Sequence, residues 1–63
     1  VTTLERALEI VVRERDCFTK FVMAALLAKR LGDSEQWRKY DALAETEARR
    51  IGIALDRGKW FGI

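Results

Sequence analysis

Histidine and proline are absent from the 63 residues, and cysteine occurs once, at position 17. A single thiol excludes an intramolecular disulfide, and the missing histidine excludes the usual zinc and di-iron ligand sets of small helical proteins. A catalytic cysteine normally needs a base such as histidine beside it, and no glycine-rich phosphate loop or nucleophile motif occurs. The sequence therefore predicts a non-enzyme with no catalytic residue, no metal and no cofactor.

Long apolar runs are also missing. The longest spans residues 21–28, is flanked by Lys20 and Lys29, and is too short to cross a bilayer. A lone thiol is typical of a reducing compartment, which predicts a cytoplasmic location. The 12 basic and 10 acidic residues are closely interleaved and leave a net charge of +2. Such interleaving is typical of a solvated surface of ion pairs rather than of a polybasic tail.

Strand-like alternation is absent, and good helix formers dominate, so the sequence predicts an all-α fold. We expect one domain over residues 1–63, with a helix over about 3–31, a turn at 32–33, a second helix over about 34–57 and a tail over 58–63. Thr2 with Glu5, and Asp33 with Gln36, fit N-terminal capping patterns. Gly32 lies where a helix-ending glycine belongs. Two amphipathic helices joined by so short a turn indicate an antiparallel helical hairpin.

Self-association is the expected source of additional stability. A chain of this length buries only about 60% of its unfolded surface, and so small a core seldom supplies more than about 3–5 kcal/mol. The middle of the first helix is apolar all round, which predicts burial on every side. We expect an interface at Phe21, Met23, Ala24, Leu27, Leu31, Trp60 and Phe61, with Met23 and Leu27 on the outer side of the hairpin. This predicts a dimeric four-helix bundle; the layout resembles repressor-of-primer hairpins in architecture alone, with no shared motif.

Four charged residues interrupt the apolar faces: Glu14 and Arg15 in the first helix, and Glu47 and Arg50 in the second. Antiparallel pairing about a turn at 32–33 brings Glu14 near Arg50 and Arg15 near Glu47. The sequence therefore predicts a polar seam of cross-helix ion pairs that fixes the register of the hairpin. A ligand site is the alternative interpretation of these residues.

Three functions are compatible with this chain. The first is a small protein–protein interaction or regulatory module that self-associates and presents an apolar patch to an unidentified protein partner. The second is a nucleic-acid-binding hairpin that follows a phosphate backbone with Lys39, Arg50 and Arg57, on one edge of the second helix. Interleaved acids weaken that prediction. The third is a helical domain of a larger protein whose apolar patch contacts the rest of it.

Overall fold

The computed structural model describes residues 3–62 and shows an all-helical protein, as predicted. Four helices follow one another: α1 (Thr3–Val12), α2 (Phe18–Leu31), α3 (Ser34–Ile51) and α4 (Arg57–Phe61). Thr2, the predicted first N-cap, and Ile63, the last residue of the predicted tail, lie outside the described residues.

The expected continuous helix over residues 3–31 is wrong, because the chain leaves the helical conformation at residues 13–17. Continuing the helix would carry Glu14 and Arg15 onto an apolar face, where unpaired charges are costly. Breaking it leaves both side chains exposed. Cys17 then adopts an extended conformation and caps α2, its Sγ accepting a hydrogen bond from the Lys20 backbone N–H at 3.4 Å.

Helix α2 is the centre of the fold and contacts each of the other three helices, α3 most extensively. The connection between α2 and α3 forms as predicted: Gly32 takes the left-handed conformation (φ 77°) and Asp33 caps α3. Packing of α3 on α2 is consistent with the predicted hairpin. Helix α1 also packs on α2, yet no Cα atom of α1 approaches one of α3 within 8 Å. The two helices thus flank α2 with a gap between them.

The second half of the chain also differs from its prediction. Helix α3 ends at Ile51 rather than near residue 57, because Gly52 takes a left-handed conformation (φ 82°) and its N–H bonds the carbonyls of Ala48 and Arg49. The Ile53 N–H also bonds the Ala48 carbonyl, at 2.9 Å, as in a Schellman motif. Asp56 then starts the short helix α4, so most of the predicted tail is helical.

The core joins all four helices through small and aromatic side chains. Ala24, Ala25, Ala28 and Ala44 are completely buried, and no large side chain of residues 3–62 is. Phe21 stacks on Tyr40 with ring centroids 6.5 Å apart. Phe61 of α4 is buried edge-to-face against Trp37, with centroids 4.8 Å apart. Small residues allow the helices to approach closely, and the two ring contacts join α2 to α3 and α3 to α4.

Candidate interaction surface

The predicted apolar interface is divided by the fold into a buried part and an exposed part. Phe21, Ala24, Leu27 and Phe61 belong to the core of the chain itself. Met23 remains 42% exposed and Trp60 43% exposed, while Leu31 is half-buried. Only Met23, Trp60 and part of Leu31 are therefore available to a partner.

Leu27 differs most from expectation, since it was predicted on the outer side and is only 9% exposed. The break at residues 13–17 explains the difference. As a separate helix, α1 packs on α2 and covers the side that a continuous helix would leave open. Leu8 of α1 lies in the same buried cluster as Leu27.

Four further large apolar side chains are more than a third exposed, and the predicted interface included none of them. They are Ile10 of α1, Leu43 and Ile51 of α3, and Ile53, which follows α3. Ile51 and Ile53 flank the Gly52 turn at the end of α3, next to Arg49 and Arg50. Gly52 was the sequence signal for this arrangement, because a helix-ending glycine leaves Ile51 as the last residue of α3 and Ile53 beyond it.

The predicted cross-helix polar seam does not form. Arg50 instead pairs with Glu47 three residues earlier on α3, with its Nε 2.6 Å from the Glu47 Oε2. That hydrogen bond, with the charge of Glu47, raises the pKa of Arg50. Glu14 and Arg15 lie exposed at the break between α1 and α2. The seam failed because its geometry required a continuous first helix.

The predicted basic edge is largely neutralised by neighbouring acids. Arg57 makes two hydrogen bonds to Asp41, both at 2.9 Å, and approaches Glu45 at 3.5 Å. Arg50 is paired with Glu47, as described above. Lys39 holds its ammonium 5.2 Å from the centre of the Tyr40 ring. These three residues therefore do not form the continuous positive surface that a phosphate backbone needs.

A groove of about 440 Å³ opens between α1 and the start of α3. Its lining combines apolar side chains with three carboxylates: Glu5, Leu8, Glu9, Val12, Leu31, Asp33, Gln36 and Tyr40. Asp33 is held by the backbone N–H of Gln36 at 3.1 Å and by the side-chain amide of Gln36 at 3.0 Å, and these bonds lower its pKa. The groove is thus acidic at neutral pH, in a chain whose net charge is positive.

A second hollow, of about 310 Å³, lies at the break between α1 and α2. Val11 and Met23 give it an apolar lining, and Cys17 contributes an exposed free thiol. Within residues 3–62, no group of three or more acidic or cysteine side chains is arranged to hold a metal ion. Across the same residues, no helix combines the length and apolarity needed to cross a membrane.

Comparison of the chain with protein-family models, with curated proteins and with solved structures gives no match.

Proposed function

We propose that this protein is a non-catalytic interaction module that works by self-association and through exposed apolar side chains. One observation carries the proposal. Among residues 3–62 six large apolar side chains are more than a third exposed, whereas the completely buried residues are alanines. A fold with so little apolar volume in its interior gains stability when a partner covers the apolar side chains left in water.

The assembly that fits this composition is a dimer. In the proposal, α2 and α3 form the antiparallel hairpin expected from the sequence, and two hairpins pack into a four-helix bundle. A closed two-fold dimer buries the same patch on both copies and is the commonest oligomer of small proteins. Met23 and Trp60 then provide apolar surface for a separate protein partner. The cytoplasm is the proposed compartment, because the thiol of Cys17 is free and exposed.

Sedimentation equilibrium from about 1 to 100 μM, together with circular dichroism, tests this proposal. We expect a helical dimer across the upper part of that range and a midpoint of thermal unfolding that rises with concentration, because association stabilises the folded form by mass action. A helical monomer at every concentration, with a constant midpoint, contradicts self-association.

Nucleic-acid binding is less well supported than protein binding. Its three predicted contacts include Arg50 and Arg57, which are paired with carboxylates. Redirecting either guanidinium to a phosphate would leave an acidic side chain beside the phosphate, which opposes binding.

A further inference from the structure

One side of α3 carries a charge pattern that is complementary to itself. Tyr40, Ala44 and Ala48 are the buried side chains of this helix. About 100° round the helix, five residues at spacings of three and four share an arc of about 80°. We call them the α3 seam: Gln36, Lys39, Leu43, Glu47 and Arg50.

Leu43 is the middle of the α3 seam and is 36% exposed. Lys39 stands four residues before it and Glu47 four residues after it, while Gln36 and Arg50 stand seven residues away on either side. A second α3 packed antiparallel about Leu43 therefore sets Lys39 against Glu47 of the second copy, twice. A parallel arrangement would set Lys39 against Lys39 and Glu47 against Glu47, which is unfavourable.

The acidic groove extends this complementarity at each end. Gln36, the first seam residue, lines the groove together with Glu9 and Asp33. Antiparallel pairing places Arg50 of the second copy opposite Gln36, near those carboxylates. In the single chain this guanidinium bonds Glu47 at 2.6 Å. Pairing therefore exchanges partners: Arg50 turns to the groove carboxylates of the other copy while Glu47 takes Lys39 of the other copy. Glu9 makes no ion pair with any other residue of 3–62, so its charge is available to the incoming arginine.

Ile51 of the second copy follows Arg50 into the same region. It is exposed in the single chain, and the groove offers it Val12 and Leu31 as apolar lining. In each groove of the dimer, the carboxylates thus face Arg50 of the other copy and the apolar lining faces Ile51 of the other copy. A different partner chain would have to reproduce both the central leucine and the charge order on either side of it.

We propose that two copies of this chain associate through antiparallel pairing of their α3 seams, with Leu43 at the two-fold axis and Arg50 of each copy in the acidic groove of the other. The proposal rests on the self-association proposed above and names its surface. The interface is isologous, since each copy contributes both the basic end and the groove.

Symmetric cross-linking tests the position of the axis. Packed helices lie 8–10 Å apart with Cα atoms about 2.3 Å from each axis, so facing Cα atoms are roughly 4–5 Å apart, within disulfide range. In a Cys17→Ser background, we expect Leu43→Cys to form a covalent dimer in nearly full yield under mild oxidation. Ala42→Cys, exposed on the other side of the same helix, is the matched control and should remain largely monomeric on a denaturing gel.

Charge reversal tests the pairing without altering an apolar residue. We expect Lys39→Glu and Glu47→Lys each to raise the dimer dissociation constant on the order of tenfold or more, because each change creates two repulsive contacts per dimer. The double variant restores both pairs and should recover most of the affinity lost in Glu47→Lys. Because Glu47→Lys also removes the Glu47–Arg50 ion pair of the single chain, the recovery is measured against that single variant. Arg38→Glu, a charge change away from the seam, should have little effect.

The outcomes distinguish the α3 pairing from the more general proposal of self-association. A dimer that is not cross-linked through Leu43→Cys and is indifferent to the charge reversals overturns the α3 pairing and leaves self-association standing. A folded monomer at all concentrations overturns both. If Leu43→Cys lowers helicity, the two charge variants decide: rescue in the double variant supports the pairing, and additive weakening contradicts it.

Discussion

Asp41 of α3 and Arg57 of α4 are joined by two parallel hydrogen bonds. The Arg57 Nε donates to Oδ1 and Nη2 donates to Oδ2, each at 2.9 Å. The bonds to Asp41 raise the pKa of Arg57. Sixteen residues separate the pair in sequence, and the contact ties α4 to α3 while Phe61 is buried against Trp37. A side-chain fork thus holds in place a helix of five residues, which is too short to be stable alone.

We expect Asp41 and Arg57 to be energetically coupled by about 1 kcal/mol, the upper end for partly exposed pairs, because their geometry is bidentate. A double-mutant cycle with Asp41→Asn and Arg57→Gln, measured by urea unfolding with tryptophan fluorescence, gives this value. The Asp16–Lys20 pair, in which Asp16 precedes α2 and its side chain is 76% exposed, is the control and should couple by less, about 0.2–0.5 kcal/mol. Equal coupling in the two cycles would show that the bidentate Asp41–Arg57 contact adds no more stability than a local ion pair.

Because Asp33 caps α3 through its carboxylate, we expect the stability of the protein to depend on pH. Backbone and side-chain hydrogen bonds from Gln36 lower the pKa of Asp33 from its ordinary value, so the folded protein favours the carboxylate. Its contribution is complete above the unfolded pKa, near pH 4, and is lost as pH falls through the folded value. We expect the stability difference between the original protein and Asp33→Asn to be constant from about pH 7 to 5 and to shrink towards pH 2 in urea unfolding. A difference that grows on acidification would contradict this assignment.

Leu27 and Met23 both lie on α2, but Leu27 is buried in the core and Met23 is exposed at the surface. Leu27→Ala removes buried methyl groups and should cost about 2–5 kcal/mol, enough to unfold much of so small a protein. Met23→Ala changes a side chain that is 42% exposed and should cost less than about 1 kcal/mol. Circular dichroism during urea titration measures both. Comparable losses would mean that Met23 is also covered in solution.

The sequence was sufficient for those features that depend on local chemistry. The all-α class follows from composition and periodicity. The turn between α2 and α3 was predicted because Gly32 can adopt a left-handed conformation and Asp33 can accept the N–H of Gln36. Each of these needs only a few neighbouring residues, so no tertiary contact has to be known in advance.

The break at residues 13–17 was missed because it contains neither glycine nor proline. Helix propensity alone favours continuing through this charged segment, yet continuation would bring Glu14 and Arg15 to an apolar face. The helix breaks because α1 packs onto α2. The same break prevents the predicted polar seam and moves Leu27 from the predicted outer side into the core. Gly52, by contrast, is a helix-ending signal in the sequence, and the predicted helix over about 34–57 did not take it into account.

Cys17 offers a test of the cap that starts α2. Its Sγ accepts the Lys20 N–H at 3.4 Å, a weaker bond than a hydroxyl makes. Serine is a preferred N-cap residue, so Cys17→Ser should stabilise the protein slightly, whereas Cys17→Ala removes the acceptor and should cost about 0.5–1 kcal/mol. Thermal unfolding under reducing conditions orders the three proteins. If alanine and serine are equally stable, the thiol does not act as a cap.

Nucleic-acid binding should be weak and independent of sequence. The contribution of each Lys or Arg to phosphate binding comes from released counterions, and here Arg50 and Arg57 already face carboxylates. We expect no saturable binding to mixed duplex DNA or structured RNA near 150 mM salt, and only a shallow salt dependence below it. The matched comparison is Arg57→Gln against Arg38→Gln, which removes an exposed charge on α3. If the salt slope falls equally in both, binding is diffuse. Tight binding with a steep slope, lost when Lys39, Arg50 and Arg57 are changed to Gln while circular dichroism shows retained helix, would make this surface a nucleic-acid site and would displace the interaction module as the proposed function.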